Sequence, residues 1–151
     1  MLFVMLSLDG YFEGINHDLS WHNVDQEFNE FAVAQLKEAD TILFGRRTYQ
    51  LMENFWPTEE GLDDDPVIAN LMNKTPKVVV FSTINEVVET DIWKNITWIK
   101  DNVVGDIKKL KNQAGKDIIV LASNNLCITL LQEKLLDEVR IMINPVVIGV
   151  G

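Results

Sequence analysis

Apolar residues fall along this chain in two patterns, and the patterns alternate. The run Leu2-Phe3-Val4-Met5-Leu6 opens the sequence, and similar runs return at Thr41–Phe44, Lys77–Phe81, Asp117–Leu121 and Val139–Ile143. Ile96 to Ile99 is β-rich and alternates weakly, and Pro145 to Ile148 is a candidate for a further strand. Between these runs the apolar positions recur every three or four residues. Phe28, Phe31, Ala32, Leu36 and Ala39 predict one helix, with Asp25 as its cap. Tyr49 and Met52 predict a short one that breaks near Trp56-Pro57. Ile68, Leu71 and Met72 predict another, opened by the capping carboxylate of Asp65 with Pro66 at the first helical position. Val103, Ile107 and Leu110 form a stripe with Gly115 as the expected stop, and Leu126, Leu130 and Leu131 form the last.

Strands that are continuously apolar are buried on both faces. Alternating with helices, they predict an α/β fold with a mostly parallel sheet covered on both sides. The chain has 151 residues and is 47% hydrophobic, which suits one domain with a real core. There is no repeat and no linker-like segment. The last residues, Gly149-Val150-Gly151, form a turn with no element after it, so the final strands of such a sheet are expected to be missing or supplied by a neighbour.

Charge narrows the function. The formal net charge is −10, which repels nucleic acid and anionic membrane surfaces. The opening apolar run lacks a basic flank and is too short for a signal or a span. A single cysteine, Cys127, excludes an internal disulfide and fits the cytoplasm; it reads as an inert core residue. The Asn-x-Thr triplets at Asn73 and Asn95 read as chance matches. His17 and His22 are the only histidines and no cysteine lies near them, so no metal site is expected. Asp63-Asp64-Asp65 reads as a solvated loop ending in a helix cap. Neither a P-loop nor a G-x-G-x-x-G fingerprint occurs.

Three strands end in small or polar residues that open a helix: Gly45-Arg46-Arg47-Thr48, Ser82-Thr83, and Ala122-Ser123-Asn124-Asn125. In an open α/β sheet these carboxyl ends share one edge, where ligands bind. Helix N-termini there present unpaired N–H groups, and arginine can grip phosphate with two parallel hydrogen bonds. Arg46 and Arg47 therefore read in two ways. They could supply local positive charge for a phosphorylated ligand, or they could pair with Glu53, Glu59 or Asp63.

The same segments carry a family resemblance. "GRRTY" after an apolar strand resembles the G-R-x-T segment of dihydrofolate reductases, and "VVVFST" resembles that fold's next strand. "SLDGYFEG" with "HDLSW", and the long stretch "GKDIIVLASNNLCITLLQEKLLDEVRIMINPVVIG", resemble the C-terminal reductase domain of the bifunctional riboflavin-biosynthesis protein (RibD). The resemblance covers nearly the whole chain. It implies a three-layer α/β/α fold with a mixed, mostly parallel sheet, and an NADPH-dependent reductase acting on a flat heterocycle or small carbonyl.

By position it implies that Gly45, Arg46, Arg47 and Thr48 hold the adenosine side and pyrophosphate. Ser82 and Thr83 would flank the ribose phosphate, and Ala122 to Leu126 (with Ser123, Asn124 and Asn125) would wrap the pyrophosphate. Met5 and Ser7 would lie beside the nicotinamide, with Asp9 and Trp21 near the substrate. Asp9 reads equally as a turn aspartate bonding its own backbone, and Trp21 equally as a core residue. Asp25 and Glu27 read as capping residues. The resemblance also implies a homodimer. Two departures stand out. Ala122-Ser123 occupies a turn where the fold carries paired glycines or Gly-Ser, and no deaminase signature (H-x-E with P-C-x-x-C) occurs. A non-catalytic nucleotide-binding or dimerising module is the competing reading.

Overall fold

Side-chain caps and apolar runs mark out the elements in a computed structural model, which describes residues 1–81, 89–122 and 124–151. The strands are β1 (Leu2–Ser7), β2 (Ala39–Gly45), β3 (Lys77–Val80), β4 (Ile96–Ile99), β5 (Asp117–Leu121) and β6 (Val139–Asn144). The helices are α1 (Gln26–Glu38), α2 (Arg46–Glu53), α3 (Glu59–Asp64), α4 (Pro66–Lys74), α5 (Val103–Lys111) and α6 (Asn124–Gln132), with a single 3₁₀ turn at Ile15–His17.

The caps account for several boundaries. Asp25 accepts from the Phe28 N–H at 2.9 Å and starts α1. Asp65 accepts from both Val67 and Ile68 N–H at 2.9 Å, ahead of Pro66, and starts α4.

The strands form one sheet in the order β4-β3-β2-β5-β1-β6. Every pairing among the described strands is parallel, so the mixed sheet expected from the resemblance is all parallel over these residues. Its two faces carry separate cores. Ile42, Phe44, Val79 and Ile119 point to one face and pack with Leu36 of α1 and with Ile68 and Met72 of α4. Leu2, Leu43, Val78 and Val120 point to the other and pack with Ile107 of α5 and with Leu126 and Leu130 of α6. Alternation along β2, with Ile42 and Phe44 on one side and Leu43 on the other, is the strand period of two at work. Each such side chain, once buried, contributes about 1.5–3 kcal/mol.

Four local expectations fail for physical reasons. Ala39 turns to extended dihedrals (φ −99°, ψ 150°) and begins β2 rather than ending α1. Asp63 and Asp64 close helix α3 rather than forming a loop, because Thr58 caps that helix by accepting from Gly61 N–H at 3.2 Å. Helix α5 stops at Lys111, well before Gly115. Pro145 to Ile148 forms no strand. Val146 N–H turns back to Asn144 O at 2.8 Å, and the Asp9 carboxylate takes up Ile148 and Gly149 N–H at 3.3 and 2.8 Å.

One charged side chain is enclosed in this framework. Lys77, at the start of β3, is fully buried, and its Nζ donates to the carbonyls of Asn73 and Thr75 at 2.9 Å each and of Lys94 at 3.3 Å. It ties the end of α4 to the approach to β4. Desolvation lowers its pKa to about 8.

Candidate functional site

Because the strands run in parallel, the ends of β2, β3 and β5 reach the same edge of the sheet. The chain leaves β2 towards α2 and α4 on one face, and leaves adjacent β5 towards α6 on the other. A crevice opens where two neighbouring connections diverge in this way. Here it is a cleft of about 1080 Å³.

The rim of the cleft comes from three separated segments. Gly45, Arg46, Arg47 and Thr48 follow β2, Val80 and Phe81 close β3, and Leu121, Ala122, Asn124, Asn125 and Leu126 follow β5. Met5 of β1 also lines it. Ser82, Thr83 and Ser123 lie outside the described residues, although Phe81, Ala122 and Asn124 beside them line the cleft.

The N-terminus of α2 lies on this rim. Gly45 caps it without a side-chain hydrogen bond, so the first N–H groups of the helix have no capping side chain. Arg46 and Arg47 add two guanidinium groups at that point. Arg47 makes none of the three surface pairings named as alternatives. It bonds to the His17 ring and lies 3.8 Å from Glu13 Oε1, which also takes His17 Nδ1 at 2.8 Å. Glu53 instead accepts from the Tyr49 hydroxyl at 3.0 Å. The loop after β1 is thereby tied to the start of α2.

Ala122 takes the left-handed backbone conformation, with φ +46°, that the fold's glycine would hold at no steric cost. Its N–H still reaches Phe3 O, at 3.3 Å. The departure read in the sequence therefore places an alanine in a backbone conformation that favours glycine. Cys127, one helical turn into α6, is half-buried, and desolvation raises its pKa to about 11, as fits an inert thiol.

The remaining candidates sit apart from the cleft lining. Ser7 is buried, with Oγ donating to Asp9 Oδ1 at 2.7 Å and accepting from Tyr11 N–H at 2.9 Å. Asp9 accepts from Ser7 and from the Ile148 and Gly149 N–H groups. The Ser7 hydrogen bond foremost, then those of Gly149 and Ile148, hold its pKa below the ordinary carboxylate value. A carboxylate so engaged is a poor proton donor, and the turn reading describes it. Trp21 stacks edge-on against His22 with ring centroids 4.4 Å apart, and its indole N–H donates to Asp18 O at 3.1 Å. His22, rather than Trp21, lines the cleft.

The sequence reading missed the far wall. Phe28, Asn29, Ala32, Gln35 and Leu36 share one face of α1 and line the cleft, as do Leu51, Phe55, Trp56, Ile68 and Met72. The helical spacing of these α1 positions was visible, but it reads as plain core. Gln35, polar and in that stripe, was the available signal. No group of three or more His, Cys, Asp or Glu side chains suited to a metal occurs among the described residues, and no described helix is long and apolar enough to cross a membrane.

Comparison with known proteins places this geometry in a family. The model of the RibD C-terminal domain matches residues 1–151. A Bacillus subtilis (strain 168) relative, "Uncharacterized protein YyaP", is 33% identical over 153 residues, covering 100% of this chain and 77% of the relative. The crystal structure of a "Putative riboflavin biosynthesis protein" from Shewanella sp. PV-4 superposes with a TM-score of 0.71 at 24% identity, covering 99% of this chain and 78% of that one, and shows the shared α/β fold. The chain belongs to the RibD C-terminal domain family.

Proposed function

We propose that this protein is an NADPH-dependent reductase whose cofactor lies along the three-segment rim. The observation that carries this reading is the meeting of Gly45–Thr48, Phe81, Ala122 and Asn124–Leu126 on one cleft, with Arg46 and Arg47 beside a helix start that has no side-chain cap, in a chain of net charge −10. The rim fits a dinucleotide with a ribose phosphate. Arg46, Arg47 and the α2 N-terminus would hold phosphate, with Ser82 and Thr83 alongside. The turn at Ala122 to Asn125, including Ser123, would follow the pyrophosphate, and Met5 would floor the nicotinamide.

When bound, NADPH supplies a hydride to an electrophilic carbon of a heterocycle or carbonyl. The chain's own residues do the rest. They neutralise phosphate, orient the two rings and exclude water with the apolar wall. A homodimer in the cytoplasm completes the reading. The exposed Val139, Ile141 and Ile143 on the unpaired edge strand β6 support an interface there.

A non-catalytic nucleotide-binding or dimerising module is favoured by one observation: Asp9 is occupied structurally, which leaves Glu13 and Asp64 as the acids lining the cleft among the described residues. Trp56 lines the cleft, so tryptophan fluorescence reports binding there. NADPH should quench it at micromolar concentration, at least tenfold below NADH, and turnover with an acceptor should consume NADPH. Binding without consumption across carbonyl and heterocyclic acceptors supports the module. The absence of quenching by either cofactor at millimolar concentration removes the reductase.

A further inference from the structure

Past the rim, the cleft changes chemistry. Its lining there is largely apolar and aromatic, with Phe28, Leu36, Phe55, Trp56 and Met72, beside the polar Asn29, Gln50 and Asn54. Positive charge is confined to the rim. Among the described lining residues the only Lys or Arg side chains are Arg46 and Arg47, and positions 82–88 and 123 carry no Lys, Arg or His. Arg47 is already engaged with Glu13 and His17.

Two buried polar atoms of the lining have no hydrogen-bond partner among the described residues. Gln35 is only 3% exposed, and its Oε1 has no hydrogen-bond partner among the described residues. An unpaired buried acceptor is costly, so its persistence in the cleft lining points to a donor arriving with a ligand. His22 Nε2 is likewise buried without a partner, and desolvation lowers the pKa of the ring, which favours neutral imidazole at pH 7.

We propose that the substrate of this cleft is an uncharged, flat, largely apolar molecule bearing an N–H or O–H that donates to Gln35 Oε1, and not a phosphorylated sugar derivative. This rests on the NADPH reading in one respect: the cofactor takes Arg46 and Arg47. A second phosphate group would then enter an apolar cavity in an acidic protein with no cation to meet it, and burying an unpaired anion is strongly unfavourable. A neutral ring stacks on Phe28 and Trp56 at no such cost. The Gln35 acceptor then selects ligands that bring a donor, because a ligand without one leaves it unpaired.

The test is tryptophan quenching of the cofactor-free protein by quinazoline-2,4-dione (flat, uncharged, two N–H groups), by its 1,3-dimethyl derivative and by ribose 5-phosphate. The dione should bind. Its dimethyl derivative, lacking a donor, should bind about tenfold more weakly, the worth of one hydrogen bond. Gln35→Leu should weaken the dione by about the same factor while leaving the dimethyl derivative and NADPH unchanged.

Equal binding of the two diones to the wild-type protein overturns the role of Gln35 without any variant. No dione binding, or ribose 5-phosphate binding that survives the Arg46→Ala, Arg47→Ala double substitution, overturns the substrate class. A protein that binds the dione but not NADPH sinks the reductase reading and, because no cofactor then occupies the arginines, the exclusion of phosphate with it, whereas NADPH binding without dione binding sinks only this proposal, so the two failures are distinguishable.

Discussion

At φ +46°, Ala122 holds a backbone conformation that its Cβ disfavours by about 1–2 kcal/mol. The turn is kept because the β5 ladder before it and α6 after it fix its ends. Ala122→Gly should therefore be neutral or stabilising by up to about 1 kcal/mol, the relieved strain being partly offset by greater freedom of the unfolded chain. It should also tighten NADPH severalfold, since a bare backbone can approach phosphate more closely. Urea denaturation and calorimetry measure both. A loss above about 1 kcal/mol would show that the turn needs its methyl group. Arg47 illustrates why individual roles were hard to read. Its partners Glu13 and His17 belong to a loop that only the β1–β2 crossover brings near, and nothing in the local pattern of "GRRTY" points to them.

At the level of elements, the legible ones were those whose signals are local. Strands β2, β3 and β5 are buried on both faces, so each is a near-continuous apolar run, and α1 and α4 announce themselves by Asp25 and Asp65. Helix α3 was not legible. It is six residues long, its sequence is mostly acidic, and it depends on a Thr58 cap and on the close seat of Gly61 against the Phe55 carbonyl. Pro145 to Ile148 failed in the opposite direction, as a β-prone sequence held as a loop by the Asp9 carboxylate. That contact has a pH signature. The folded pKa of Asp9 lies below the ordinary 3.8, so its contribution is complete above that value and is lost as pH falls through the lower folded value. NMR should show the Ile148 and Gly149 amide shifts constant at neutral pH and moving together in acid, with Asp9→Asn giving the acid-like shifts at every pH. Amide shifts that ignore both changes would dismiss the latch.

Across the whole molecule, sheet order decides what meets what. Inserting β5 between β2 and β1 puts the post-β2 and post-β5 turns side by side, and this crossing is where the rim forms. The sequence announced the turns, and the parallel sheet it predicted already put them on one edge. The α1 wall, with Gln35 in it, emerged only from the coordinates, because a cleft wall and a core face have the same helical spacing. The same sheet order leaves β6 as an edge with Val139, Ile141 and Ile143 exposed. Sedimentation should show a dimer that Ile141→Lys converts to monomer without loss of fold, and a wild-type monomer at high micromolar concentration rejects that interface. The central claim, that separated turns together hold one dinucleotide, is tested most directly by a crystal structure of the NADPH complex. We predict the ribose phosphate against Arg46 and Arg47, the pyrophosphate along Ala122 to Asn125 and the nicotinamide over Met5. Electron density for the cofactor away from this rim, or spanning it with the phosphate turned from both arginines, would contradict the account.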